Sequence, residues 1–234
     1  MDIVSRRAVV RGALGVGSAA AAGVAFPAAA RAATYPTVRV GSTGSAVVAL
    51  QQRLSALGYW LGAVDGQFGP LTQQAVYAIQ KAAGVVRDGI VGPITWSKVT
   101  AGVRPAWRTH AGNLVEIDKP RQLLKVIRNG QLSITLSTST GSETYYLSSS
   151  GRWALAHTPT GWFRVLYVVN GVDHGPLGDL YRPRYFTWAG HAVHGAASIP
   201  PYPASHGCCR VSNGAEDMVW ARNLQPLGST VYVY

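Results

Sequence analysis

Charge is scarce in this sequence, and cysteine is nearly absent. Only 13% of the 234 residues are charged, against 47% hydrophobic, so the chain can bury a core and lacks the composition of a disordered one. Beyond roughly the first thirty positions there is no apolar run of about 18 residues, which excludes a spanning helix in the rest of the chain. The only cysteines, Cys208 and Cys209, are neighbours. Adjacent side chains point apart and a bridge between them is strained, so they staple no loop and the chain is not a disulfide scaffold. Neither lies near a leader-cleavage site, which excludes a bacterial lipid anchor. Acidic residues are few, 10 against 21 basic, and the basic ones are dispersed without a recognition motif, so nucleic acid is not an expected partner.

The first residues do have a pattern. "SRRAVVRG" precedes the apolar run "ALGVGSAAAAGVAF", and "AARAAT" offers small-residue cleavage sites near Ala32. Arg6 and Arg7 resemble a twin-arginine export signal. Removing residues 1–32 lowers the net charge from +11 to +8, with 17 basic residues against 9 acidic. A basic protein outside the cytoplasm is drawn to anionic cell-wall polymers.

Residues 37–100 contain an internal echo. "VDGQFGPLTQQAV" and "RDGIVGPITWSKV" share D-G-x-x-G-P-x-T, with Asp65 and Asp88 in equivalent places. The pattern predicts a turn begun by each Asp and a helix opened by Pro70 or Pro93. Val47, Leu50, Leu54 and Leu57 recur at helical spacing before the first copy, and Ala75, Val76, Ile79 and Ala83 do so within it. Three short helices are expected, in a small bundle. One acid per turn is too few oxygen ligands for calcium. The order "LQ", "LGY", "DGxFGPxT", "DGIVGPxTW" closely resembles the peptidoglycan-binding module of wall enzymes, which implies that peptidoglycan is a partner. "TAGVRPAWRTHAG" reads as a short linker, set at 101–112.

From 113 to 234 the periodicity changes. Short runs rich in branched residues, "LVEID", "QLLKVIRNGQLSITL" and "FRVLYVV", predict strands, and Asn129–Gly130 predicts a tight hairpin. "GAEDMVWARNL" is the one expected helix, with Asn213 as its cap. The fold class is therefore α+β and multidomain: a three-helix bundle, then a mainly β, sandwich-like domain.

Reactivity is the natural reason for a thiol in an oxidising compartment, and a reactive thiol needs an imidazole to keep it as thiolate. No His follows Cys208, so the partner lies upstream, the reverse of the papain-like order. His194 ends a predicted strand. Gly207 permits a tight bend and offers amides to a developing oxyanion. His191 and His194, three apart on a strand, face oppositely, and no HExxH accompanies them, although wall zinc peptidases also carry this binding module.

"HG" at His194–Gly195 and "SHGCCR" at Ser205–Arg210, with "STSTG", "TPTG" and "GPLGDLYRPRYF", resemble the L,D-transpeptidase signature. The resemblance implies a β-sandwich in which Cys208 attacks the diaminopimelate carbonyl of a wall peptide stem. D-alanine leaves, a thioester remains, and an amine takes the acyl group in a 3→3 cross-link. Water as acceptor would give carboxypeptidase activity. His194 would be the base, oriented by the Gly195 carbonyl, with His206 and the Gly207 and Cys208 amides shaping the oxyanion site. Arg210 would tie the loop or read a substrate carboxylate. Ser205 completes the motif on the substrate side, and Tyr185 and Trp188 would wall the donor groove. No cofactor or metal is implied, and a monomer is expected. Cys209 departs from the usual aliphatic residue. It reads as a small buried hydrophobe or as half of a strained redox switch.

Overall fold

The computed structural model describes residues 35–148 and 150–234. The export-signal reading concerns residues 1–32 and lies outside the described residues. Tyr35–Tyr234 forms one compact unit.

Three helices come first: α1 (Ser45–Ala56), α2 (Pro70–Ala83) and α3 (Pro93–Thr100). Pro70 and Pro93 stand at the first helical turns, where a missing N–H costs nothing, and Gly84 ends α2 in the left-handed region. Asp65 Oδ1 accepts from the Gln67 amide and Asp88 Oδ1 from the Ile90 amide, both at 2.9 Å. A buried glutamine completes each turn. Gln51 Nε2 donates to Asp65 at 2.8 Å and to the Thr72 hydroxyl at 3.1 Å; Gln80 does the same to Asp88 at 2.7 Å and Thr95 at 3.2 Å. The stripe Val47, Leu50, Leu54, Val76 and Ile79 is buried and shares its core with Leu123 of the β half. Each such side chain contributes about 1.5–3 kcal/mol by leaving water.

The β half has strands β1 (Leu114–Asp118), β2 (Leu123–Arg128), β3 (Gln131–Ser137), β4 (Tyr145–Leu147), β5 (Trp153–Leu155), β6 (Gly161–Arg164), β7 (Tyr167–Val168), β8 (Val172–Gly175), β9 (Gly178–Tyr185), β10 (Ala192–Ala196), β11 (Cys209–Ser212) and β12 (Thr230–Val233), with helix α4 (Asn213–Ala221). One sheet runs β3-β2-β1-β12-β6. The other runs β11-β10-β9-β7, with β8 also on β9, and β4-β5 is a separate hairpin. Val115, Ile117 and Val126 of the first sheet meet Val193, Cys209 and Val211 of the second in one core, which makes the sandwich. Asn129 and Gly130 join β2 to β3 with φ of 48° and 73°, as a tight hairpin turn requires. The cap of α4 is Ser212 rather than Asn213: the Ser212 hydroxyl accepts from the Ala215 amide at 3.3 Å, and Asn213 is already helical.

Residues 106–109 are tied to β1 and β2. The buried Glu116 carboxylate accepts from the Arg108 and Thr109 amides at 2.9 and 2.7 Å. Lys125, also buried, sits 3.4 Å from Glu116 and 3.3 Å from Asp118 and donates to the Ala106 carbonyl at 2.7 Å. The helices are docked as well: Thr135 of β3 donates to the Gly58 carbonyl at 2.8 Å, and Trp60 donates to the Thr135 carbonyl at 3.3 Å.

Candidate active site

Parallel pairing of β10 with β11 sets His194 opposite Arg210 and puts Cys208 in the turn that enters β11. Strand alternation then separates the two sulfurs. Cys209 is buried in the sandwich core beside Val211, whereas Cys208 is half-buried and opens onto a cleft of about 500 Å³. Both thiols are free. The cleft also receives His194, His206, Ser205, Gly207 and Arg210. It is walled by Tyr146 and Leu155 of the β4-β5 hairpin, by Leu177–Leu180 at the β8-β9 turn, and by Gly190 and His191.

His194 is buried, and its Nδ1 lies 2.8 Å from the Gly195 carbonyl. A carbonyl can only accept, so Nδ1 carries the proton and Nε2 keeps its lone pair as the available base. Gly195 cannot be larger: a Cβ there would lie 2.8 Å from both Asn213 Oδ1 and a Tyr181 ring carbon. Burial pushes the His194 imidazole down to about 4, with Arg210 adding repulsion and the Gly195 carbonyl opposing. Burial pushes the Cys208 thiol up, opposed by the Ala192 amide and by Arg210. Both shifts disfavour the charged forms, so desolvation works against a standing thiolate–imidazolium pair.

The turn is held from within. Ser205 Oγ accepts from the Gly207 amide at 3.0 Å and donates to the Cys208 carbonyl at 2.5 Å. The Gly207 amide is thus committed and is not a free oxyanion donor, contrary to the sequence expectation. Gly207 acts instead through its backbone. Its φ of +147° belongs to glycine, and a Cβ would strike the His157 carbonyl at 2.8 Å and the His191 ring at 2.9 Å. Its carbonyl accepts from Thr158 Oγ1 at 2.6 Å.

His206 is exposed and packs its ring on Tyr146 at 4.5 Å. Arg210 Nη1 reaches the Ala204 carbonyl at 3.4 Å, tying the loop. Tyr185 and Trp188 are not brought to the cleft lining. Tyr185 is buried, with its hydroxyl on Asp173 at 2.6 Å, and Trp188 stands 81% exposed over Tyr167. His191 was missed as part of the site. It precedes β10 rather than lying on it, its Nδ1 meets Thr187 Oγ1 at 2.8 Å and its Nε2 donates to the His157 carbonyl at 3.1 Å, and its edge supports Gly207. Among the described residues no three His, Cys, Asp or Glu side chains converge as metal ligands.

Residues 112–233 match the family model of the L,D-transpeptidase catalytic domain. The chain belongs to that family. Residues 43–99 match the model of the peptidoglycan binding domain. A crystal structure of the L,D-transpeptidase from Xylanimonas cellulosilytica is 46% identical with a TM-score of 0.81, over 88% of this chain and 100% of that one. The L,D-transpeptidase structure from Stackebrandtia nassauensis shares the fold at 20% identity and a TM-score of 0.50, over 84% of this chain and 94% of that one. The zinc D-Ala-D-Ala carboxypeptidase of Streptomyces albus G is 47% identical over 66 residues, 27% of this chain and 26% of that protein. The chain spans 65% of one curated relative's length and 26% and 27% of two others. The helical module followed by a mainly β L,D-transpeptidase domain, as read from the sequence, is what these likenesses show.

Proposed function

We propose that this protein is an exported, cysteine-dependent L,D-transpeptidase that acts on peptidoglycan stem peptides. One observation carries the reading: in a chain of this family, a half-buried Cys208 and an imidazole with its tautomer fixed by Gly195 open onto the same cleft. Cys208 Sγ attacks the diaminopimelate carbonyl as His194 Nε2 takes the thiol proton. That proton passes to the departing D-alanine amine, leaving a thioester on Cys208. An acceptor amine on a second stem attacks the thioester, its proton goes through His194 back to sulfur, and a 3→3 cross-link results.

The Cys208 amide and His206 receive the oxyanion, with Gly207 holding the turn. Ser205 fixes the nucleophile's carbonyl, and Arg210 both secures the loop and offers its positive charge to a donor carboxylate. Residues 1–32 are a twin-arginine export signal, 37–100 the peptidoglycan-binding module, 101–112 the linker and 113–234 the catalytic domain of a monomer at the cell wall, where anionic polymers attract its basic surface.

The test is incubation of purified protein with a tetrapeptide stem, followed by mass analysis of the products. Loss of D-alanine with a dimer mass supports transfer to an amine, and loss with a tripeptide alone supports water as acceptor. D-alanine release that persists in Cys208→Ala overturns the reading.

A further inference from the structure

We infer that the helical module is a working part of the catalytic turn as well as a tether, and that Lys81 of α2 is a positioning residue for Cys208. This goes beyond the proposed function, which asks of the module only that it hold the wall. Lys81 is 1% exposed and has no carboxylate partner among the described residues. Its Nζ donates to the Gln122 carbonyl at 3.0 Å, the Ser137 hydroxyl at 2.8 Å and the Thr138 carbonyl at 2.9 Å. An apolar side chain of the same length would fill that space without desolvating an amine. What lysine adds is three donors at one point, and all three acceptors belong to the segments that carry the turn.

Gln122 is the first of these. It sits at φ 59°, a region that non-glycine residues seldom occupy and that persists where surroundings over-determine it. Its carbonyl accepts from Thr138 N as well as from Lys81. Its side chain grips Thr140 twice, Nε2 on the Thr140 hydroxyl at 2.7 Å and Oε1 on the Thr140 amide at 2.8 Å. The Thr140 carbonyl accepts from the Ala204 and Ser205 amides, both at 3.0 Å, and Ser205 Oγ then clamps Gly207 to Cys208. A second branch runs beside it: Thr138 Oγ1 donates to the Arg210 carbonyl at 2.8 Å, and Ser139 pairs with Arg210 in both directions. The path from α2 to the nucleophile's own carbonyl passes through three residues, Gln122, Thr140 and Ser205, without a gap.

The experiment compares wild type, Lys81→Met, Gln122→Met and the double variant. Gln122→Met leaves the Lys81 acceptors in place and cuts the path one step later. Each protein is treated with iodoacetamide and its adducts counted and placed by mass spectrometry. Cys209, buried in the core, takes an adduct only if the fold opens.

In both single variants the Cys208 adduct should form at least about threefold faster, with Cys209 unlabelled, because a loosened turn lets water reach the thiol. Transfer from a stem peptide should lose about tenfold in kcat with KM within about twofold. Retention on insoluble peptidoglycan should be unchanged. The double variant should be no worse than Lys81→Met alone, because Lys81 stands upstream of both branches.

Wild-type labelling and kcat in folded Lys81→Met overturns the inference, as do additive losses in the double variant. If Lys81→Met takes two adducts, Gln122→Met decides alone, and wild-type behaviour there overturns it. The labelling arm needs no transferase activity, so failure of the proposed function is read separately.

Discussion

His194 turns its Nδ1 onto the carbonyl of its own neighbour, Gly195, at 2.8 Å. A carbonyl orients the ring as a carboxylate would, but it brings no negative charge to stabilise imidazolium, so burial holds the folded His194 at about 4 against an unfolded value of 6.5. The unfolded chain therefore binds this proton first. Stability should fall as pH drops from 6.5 toward 4 and level off below, with His194 contributing up to about 3 kcal/mol of the change. Urea denaturation across this range should show that slope, and His194→Gln should remove it. An equal slope in the variant would assign the effect to another group.

The same burial sets the reactivity of the sulfur. With Cys208 pushed up, thiol alkylation by iodoacetamide should be slow at neutral pH and still rising at pH 9. A rate already at its plateau below pH 7 would mean a standing thiolate–imidazolium pair.

Neighbouring cysteines should give opposite results. Cys208→Ala should abolish D-alanine release while leaving the denaturation midpoint close to wild type. Cys209→Ala should retain transfer and lose about 1 kcal/mol of stability, since only a small core side chain is cut back. Loss of transfer in the second variant alone would exchange their roles.

Gly207→Ala adds one methyl where the His157 carbonyl and the His191 ring leave no room, at a φ that alanine resists. Transfer should fall by about 100-fold, with a stability loss of roughly 2 kcal/mol or more. Steady-state kinetics and thermal unfolding of this variant measure both. Gly84→Ala is the control, because open space surrounds it at a positive φ of 66°. It should lose stability without losing transfer.

Local chemistry was readable from the sequence, and long-range partnership was not. The Asp65 and Asp88 turns, the proline-opened helices and the Asn129–Gly130 hairpin depend on residues within a few positions of one another, and each stands in the structure as expected. The His194–Gly195 contact is equally local. The misplaced cap illustrates how fine the limits are, since Ser212 and Asn213 are both good caps and only the local φ and ψ decide. The glutamines that close the two turns come from the preceding helices, and nothing in their local sequence marks them. His191 joins the site through Thr187 and the His157 carbonyl, which only the folded sheet brings near. The fate of the Gly207 amide depended on where one hydroxyl, that of Ser205, happened to rotate. The family resemblance put Tyr185 and Trp188 on the donor groove, but Tyr185 is buried with its hydroxyl on Asp173 and Trp188 stands exposed over Tyr167.

The pairing of β1 with β12 joins Leu114–Ile117 to Thr230–Val233 in parallel, and β6 reaches this sheet only through β12. A chain still emerging from the ribosome therefore holds an apolar strand with one edge unsatisfied until residues 230–233 are made. Formation of this sheet is an event of high contact order, slow by nature and open to aggregation while it waits.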